Sequence, residues 1–462
     1  MTAYRRTTRS WLAAVGASLL LAGCFAYTPA ELRPPADAPA PPRSSAMPFP
    51  STASGMAAPA PASTDAPVTI LVSIDGFRPD YLNRGVTPVL SGLAARGVSA
   101  SMRPSFPSIT FPNHWTLVTG LRPDRTGVVG NRIERPAADP TRPPEVFTMQ
   151  TDDASWWNGA EPIWVSAERA GIRTATMFWP GSNVAWGSTA KGDHGVAIGG
   201  VRPEDWAQFN QAVTGPQRVA TVIDWLRRPA VTRPRFVTLY FDTVDSAGHA
   251  HGPQSPAVTA AVADVDRSIG QLVDGLAHLG QSANLVIVAD HGMAATSSER
   301  TVALDRIADP ADYRVSQTGP YAGLAAVPGH EATLEARLLA PHPHVRCWRK
   351  AAIPARFHFG ANPLVDPYLC LAETGWLIDR TTPTKPATGG THGYDNMAPE
   401  MAALFIAEGP AFAAGRRLPP FDNVDVAPLI RDLLGLPAGH ALDGSPLDGT
   451  DAPFRRVLVA PR

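Results

Sequence analysis

Three short apolar runs in this chain end in the same chemical way. Val72-Ser73-Ile74 leads into Asp75-Gly76, Leu239-Tyr240-Phe241 is followed by Asp245 and His249, and Ile287-Val288-Ala289 leads into Asp290-His291-Gly292. Any one of them reads as a turn or polar loop. Residues at the carboxyl ends of parallel strands face a common crevice, however, so three such ends together bring their acids into one place. Asp245 and His249 are four apart and share a face if their segment is helical. Carboxylate and imidazole donors suit a divalent ion such as Zn²⁺, and a catalytic site leaves one coordination position for substrate. His392, within Gly389-Gly390-Thr391-His392-Gly393, sits in a glycine-rich loop suited to close approach and would add a nitrogen ligand.

A nucleophile candidate lies in residues 104–113, Pro-Ser-Phe-Pro-Ser-Ile-Thr-Phe-Pro-Asn. Pro112 is suited to be the first residue of a helix running through Val118, because its ring presets φ and its missing N–H is not needed there. Thr110 would then sit just before a helix N-terminus, where free N–H groups and the dipole favour negative charge. Taken alone it is an ordinary N-cap threonine. The acids and histidines elsewhere make its hydroxyl a candidate alkoxide.

The elements that must position these groups alternate between strand and helix from Val68 onward. The expected strands are residues 68–74, 174–178, 236–241 and 285–289; the expected helices are 88–96, 163–170, 217–226 and 257–279. That alternation argues for an α/β fold, a mainly parallel sheet with helices on both faces. No internal repeat is present. A formal net charge of −1 with no long basic run gives no support for binding nucleic acid or an anionic membrane by bulk electrostatics.

Residues 1–23 read as a targeting segment. Arg5, Arg6 and Arg9 precede an apolar run over residues 11–22, too short for a mature transmembrane helix. Its end, Leu21-Ala22-Gly23-Cys24, resembles the lipobox of bacterial lipoproteins. That resemblance implies cleavage before Cys24, a lipid on Cys24, and a cell-envelope protein; Phe25 in place of Asp favours the outer membrane facing the periplasm. A plain secretory signal is the alternative. Residues 24–67, rich in Pro and Ala, cannot bury enough surface to fold and read as a semi-extended tether. Of the three cysteines, Cys347 and Cys370 remain, either paired in an oxidising compartment or as two buried thiols.

The same residues carry a resemblance to the nucleotide pyrophosphatase/phosphodiesterase family of the alkaline phosphatase superfamily. The matching pieces include Ile74-Asp75-Gly76-Phe77-Arg78, Thr110-Phe111-Pro112-Asn113-His114, Thr119-Gly120-Leu121-Arg122-Pro123, Gly127-Val128-Val129-Gly130-Asn131, Phe178-Trp179-Pro180-Gly181-Ser182, Asp290-His291-Gly292-Met293 and Gly390-Thr391-His392-Gly393. They span most of residues 68–436 in the family's order.

The resemblance implies two Zn²⁺ ions about 4 Å apart. One would be held by Asp75, Asp290, His291 and the Thr110 oxygen, the other by Asp245, His249 and His392. It makes Thr110 the nucleophile of a phosphothreonine intermediate that a zinc-activated water hydrolyses, and Asn131 a donor to a phosphoryl oxygen. Phe111 and Tyr240 fall where family aromatics sandwich a nucleobase. One departure stands before Asp245: the family often carries a pair of glutamates there, whereas this chain reads Asp242-Thr243-Val244, so the neighbouring charge departs from the family's pattern.

By the same resemblance, residues 68–292 and 389–450 form the two-zinc core, and residues 293–388 a small inserted α+β cap that walls the cleft. Residues 312–326, 331–339 and 357–371 supply the cap's strands and helix. His342, His344 and His358 fall in this insert and are expected to face solvent. The expected activity is hydrolysis of small nucleotide phosphodiesters or pyrophosphates to nucleoside monophosphates. The rivals are a phosphonate or lipid-headgroup hydrolase on the same core, and a non-catalytic envelope binding protein.

Overall fold

A computed structural model describes residues 66–137, 141–188, 190–191 and 197–459. The targeting segment, Cys24 and nearly all of the tether lie outside the described residues.

Seven strands carry the central sheet: β1 (Val68–Ile74), β2 (Val98–Arg103), β3 (Thr174–Met177), β4 (Asp205–Trp206), β5 (Phe236–Phe241), β6 (Ala283–Val288) and, after the insert described below, a seventh at Ala403–Glu408. Their order across the sheet is β2, 403–408, β6, β1, β5, β3, β4, with the short pairs 416–417 and 421–422 added beyond β2. β1 pairs in parallel with both β6 and β5, and β5 with β3, while the strand at 403–408 runs antiparallel between β6 and β2. The centre of the sheet is apolar on both faces: every residue of β1 is buried, as expected where helices cover both sides. A fully buried Val, Leu or Ile side chain contributes roughly 1.5 to 3 kcal/mol relative to exposure.

The covering helices are α1 (Pro88–Arg96), α2 (Thr110–Thr119), α3 (Ile163–Arg169), α4 (Gly215–Leu226), α5 (Thr243–His251) and α6 (Pro256–Leu279). In α6, Val258, Val262, Val265, Ile269, Leu272 and Leu276 form the buried stripe, the period the sequence shows. Ser255 caps its start by accepting from the Val258 N–H. The helix at Val426–Leu434 and the chain through Phe454, which is fully buried, complete this core.

The insert folds on itself. Strands β7 (Tyr313–Gln317), β8 (Tyr321–Ala326), β9 (Val345–Arg349) and β10 (Tyr368–Ala372) form an antiparallel sheet in the order β7-β8-β10-β9, backed by α7 (Glu331–Leu338). Leu324, Leu334, Leu338, Tyr368 and Ile378 belong to its separate apolar core. β9 is a strand the sequence reading did not anticipate, and of residues 357–371 only the end is strand. The stretch before it turns at Pro354, Pro363 and Pro367, and proline supplies no ladder donor. Cys347 and Cys370 stand opposite each other across β9 and β10 and form a disulfide. Among the described residues no helix is long and apolar enough to cross a membrane.

Candidate active site

β6, β1 and β5 are neighbours in the sheet, and Asp290, Asp75 and Asp245 all follow their carboxyl ends. Backbone pairing delivers one carboxylate per strand to a common point. Asp245 and His249 lie together on α5, as their spacing predicts, with His249 Nε2 3.4 Å from Asp245 Oδ2. His392 arrives from the segment Thr388–Thr391, which runs antiparallel to Ala294–Ser297. This segment passes so close to α5 that a Cβ on Gly389 would sit 2.4 Å from the His249 carbonyl oxygen, and one on Gly390 2.6 Å from that of Gly248. The glycines are what allow His392 in.

The three imidazoles are oriented alike. His249 Nδ1 donates to Gly390 O (2.9 Å), His291 Nδ1 to Gly292 O (2.9 Å) and His392 Nδ1 to Ser108 O (3.1 Å). A carbonyl can only accept, so each Nδ1 carries the proton and each Nε2 turns its lone pair inward. His249 Nε2 and His392 Nε2 are 3.1 Å apart, and His291 Nε2 is 2.9 Å from Asp290 Oδ2 and 3.4 Å from Asp75 Oδ1. Buried carboxylate oxygens Asp75 Oδ1, Asp245 Oδ1 and Asp290 Oδ2 have no hydrogen-bond donor. Acceptors facing acceptors across about 3 Å are what a cation-binding site presents, so the donor set fits metal ions. Asp245, His249 and His392 form one group whose ligand atoms lie within 4.8 Å of one another, and Asp75, Asp245 and His291 another.

Burial and mutual charge perturb the carboxylates and imidazoles strongly. Burial alone would lower His291, but the buried acids beside it raise it. Burial pushes the Asp75 carboxyl well above the ordinary carboxylate range, with the charges of Asp290 and Asp245 adding to it, and burial raises Asp245 as well. Burial would also raise Asp290, but His291 and His114 beside it hold it below that range. His392 is driven well below its ordinary value by burial, then by His291 and His249, which keeps its ring neutral and able to ligate.

Thr110 is itself the first residue of α2, with Ile109 at the N-cap, so the helix begins two residues earlier than Pro112. The third position tolerates proline equally, because none of the first four N–H groups has an intrahelical partner. Thr110 Oγ1 lies 3.2 Å from His291 Nε2. Asn113, fully buried, holds the approach to it: its Oδ1 accepts from Ser105 N and its Nδ2 donates to Pro107 O and Ile109 O. His114 sits behind, with Nδ1 2.9 Å from Thr110 O and 3.4 Å from Asp290 Oδ2, and Nε2 2.8 Å from Ser73 Oγ. Asn131 Oδ1 accepts the Phe111 N–H at 2.9 Å. That bond fixes the amide so that its donor end is left for the cavity Asn131 lines.

The cavity above these groups has a volume of about 430 Å³, within the usual range for small-molecule sites. Its aromatic lining is Phe111, Trp157, Phe178, Trp179, Phe209 and Tyr240, and among the described residues no Lys or Arg lines it. Every lining residue comes from the core; none belongs to residues 293–388. The insert therefore does not wall this cleft, contrary to expectation: the loops after β3 and β4 already fill that place. Tyr240 lines the cavity, and its hydroxyl donates to Asp75 Oδ2 at 2.7 Å. Phe209, 46% exposed, is an aromatic the sequence reading missed, since a lone Phe between polar residues gives no periodic signal. Of the insert's histidines, His342 Nε2 bonds the Arg337 carbonyl and His344 bonds Glu373, and none joins a metal-binding group among the described residues.

Residues 69–395 match the family model for type I phosphodiesterase / nucleotide pyrophosphatase. The chain belongs to that family. Mouse ectonucleotide pyrophosphatase/phosphodiesterase family member 1 is 35% identical over 394 residues, covering 81% of this chain and 42% of the mouse protein. The chain thus spans less than half the length of that relative. An uncharacterised pyrophosphatase/phosphodiesterase of Schizosaccharomyces pombe is 35% identical over 80% of this chain and 77% of its own, and the Xenopus laevis bis(5'-adenosyl)-triphosphatase 33% identical over 84% and 81%. The solved structure of human ectonucleotide pyrophosphatase/phosphodiesterase 5 superposes with a TM-score of 0.76 at 30% identity, covering 85% of this chain and all of that one. The murine counterpart has been solved as an inactive threonine-to-alanine variant in complex with AMP, with the same score and identity. The fold of this phosphodiesterase-family chain is accordingly alkaline-phosphatase-like, and the seven residues named as metal ligands stand together at its sheet crest.

Proposed function

We propose that this chain is a two-zinc phosphodiesterase that hydrolyses nucleotide phosphodiesters or pyrophosphates to nucleoside monophosphates through a phosphothreonine intermediate. The observation that carries the reading is Thr110 Oγ1 at the first turn of α2, 3.2 Å from His291 Nε2, at the base of an aromatic cavity that, among the described residues, no Lys or Arg lines. Two Zn²⁺, one with Asp75, Asp290, His291 and Thr110 and one with Asp245, His249 and His392, would supply the positive charge that favours the ionised hydroxyl and screens the phosphoryl oxygens. Thr110 Oγ1 forms the new P–O bond while the leaving oxygen departs with the bonding pair. Water then displaces the threonine and frees the monophosphate. The N-terminal N–H groups of α2 and the Asn131 amide face the phosphoryl oxygens as preorganised dipoles. Phe111, Phe209 and Tyr240 offer a nucleobase apolar faces.

A phosphodiester carries one charge fewer than a monoester and has a second substituent. A neutral amide donor with apolar walls suits it better than the monoester. The AMP bound by the murine relative and the dinucleoside triphosphate named for the Xenopus one point to adenine nucleotides as the first substrates to try. The deciding experiment compares kcat/KM for a bis-aryl phosphate diester with that for the aryl monoester, before and after chelation. A zinc-dependent preference for the diester supports the reading; a preference for the monoester excludes it. We further propose that Cys24 carries the lipid that anchors the chain to the bacterial envelope, at the outer membrane facing the periplasm. A Cys24→Ala chain that still partitions with membranes would exclude the anchor.

A further inference from the structure

The cavity's aromatic wall stands on a charge that does not reach the cavity. Arg218 is 2% exposed and lies in the first turn of α4. Burial and the positive end of the helix dipole both disfavour a cation there. Its contacts are fixed points. Nε donates to Val213 O at 2.8 Å, Nη1 donates to Tyr240 O at 2.9 Å, and Nη1 lies 2.8 Å from Asp242 Oδ1. The guanidinium also faces the rings of Phe178 at 5.0 Å and Phe209 at 5.7 Å.

These contacts connect parts of the wall that the chain leaves separate. The residues 207–213 carry Phe209 and join β4 to α4. Val213 ends that loop, and Gln211 within it donates to Asp242 Oδ2 at 3.2 Å. Tyr240 and Asp242 belong to the end of β5 and the start of α5. Phe209 packs edge-on against Phe178 at 5.3 Å and against Tyr240 at 5.7 Å. It is 46% exposed where it lines the cavity. One planar cation with donors in fixed directions thus ties the loop to the sheet, a task for which a lysine's single ammonium has the wrong shape. The same contact explains why a lone aspartate stands at 242: it is the partner of a buried arginine, and its charge is spent on that pair.

We propose that Arg218 is a positioning residue for the nucleoside half of the substrate. By clamping the 207–213 loop to the end of β5 it fixes Phe209 and the apolar slot beside it, without acting on the phosphoryl group. This rests on the reading above that a nucleobase occupies that wall.

The test compares two diester substrates in the zinc-loaded full chain: the p-nitrophenyl ester of thymidine monophosphate, which has a base, and bis-p-nitrophenyl phosphate, which has none. Arg218→Met keeps the stem and removes the fork; Arg218→Lys keeps the charge and the Asp242 pair. In both, the ratio of kcat/KM for the nucleoside ester to that for the bis-aryl ester should fall, by about tenfold in the methionine variant, through KM rather than kcat. An equal loss on both substrates, an unchanged ratio, or loss of folding in both variants overturns the proposal, because the arginine would then be supporting the core rather than the slot. Phe209→Ala separates the two levels of inference. If Phe209→Ala leaves the ratio unchanged, the base-stacking reading itself falls; if it lowers the ratio while the Arg218 variants do not, only the role of Arg218 is lost.

Discussion

The roles proposed for Thr110 and Asn131 rest on opposite kinds of support. Thr110 is held by backbone, at the start of a helix whose preceding loop is knotted by the buried Asn113. Replacing it with alanine removes the hydroxyl and one methyl group at a half-buried position. Turnover of the diester should fall by on the order of 10³-fold or more while the unfolding midpoint stays within a few degrees; a variant with near-normal steady-state rate excludes Thr110 as nucleophile. Asn131 is held by the bond its Oδ1 accepts from the Phe111 N–H. Asn131→Ala should lower kcat/KM for the diester by about a hundredfold with bound zinc unchanged. Parallel loss of rate and zinc, read by metal analysis of the purified variant, would make the residue structural. The sequence marked both positions by their motifs. It could not show that Tyr240 spends its hydroxyl on Asp75, because that contact joins residues 165 apart.

At the scale of elements, the insert and the last helix carry testable stability. The Cys347–Cys370 disulfide links an edge strand to its neighbour and closes a loop with a sequence separation of 23. Converting both cysteines to serine should cost about 3 kcal/mol by the loop-entropy estimate. The loss should appear as earlier thermal unfolding of the insert under oxidising conditions, and reductant should reproduce it in the native chain. Asp425, just before the helix Val426–Leu434, is pushed up to about 6 from 3.8, first by burial. A carboxyl raised in the folded state contributes stability that is full below the unfolded value and is lost as pH rises through about 6. Asp425→Asn keeps the acceptor for Thr450 N. It should therefore stabilise the chain above pH 6 by on the order of 1 kcal/mol, discounted for partial exposure, and make no difference below pH 4. Denaturant midpoints at the two ends of that range decide it.

Across the whole molecule, the site is a place where stability is given up. Three buried carboxylate oxygens lack donors and three imidazole lone pairs turn toward them. Such a centre repels itself until cations fill it, so metal and fold are linked. Ions held at a hundred times their dissociation constant stabilise by about 2.7 kcal/mol each. Chelation should lower the unfolding midpoint by several degrees and added Zn²⁺ should restore it; a midpoint indifferent to both would mean the cluster does not bind metal.

The sequence by itself determined the alternation of strand and helix, since buried parallel strands must be continuous apolar runs and covering helices must repeat at 3.6 residues. It also marked seven candidate ligand residues: Asp75, Asp245, His249, Asp290, His291 and His392 follow strand ends or a glycine-rich approach, Thr110 opens a helix, and the family resemblance groups them. Contacts between distant residues were decided only by tertiary structure. Whether Cys347 meets Cys370 depended on β9, a strand with no clear alternation. The wall of the cleft depended on the loops at 178–183 and 207–213 rather than on the insert. Phe209 and Arg218 acquired their setting only when β5 brought Tyr240 and Asp242 beside them. Local patterns fix which face of an element is buried; they carry no information on which distant loop will fill the space that remains.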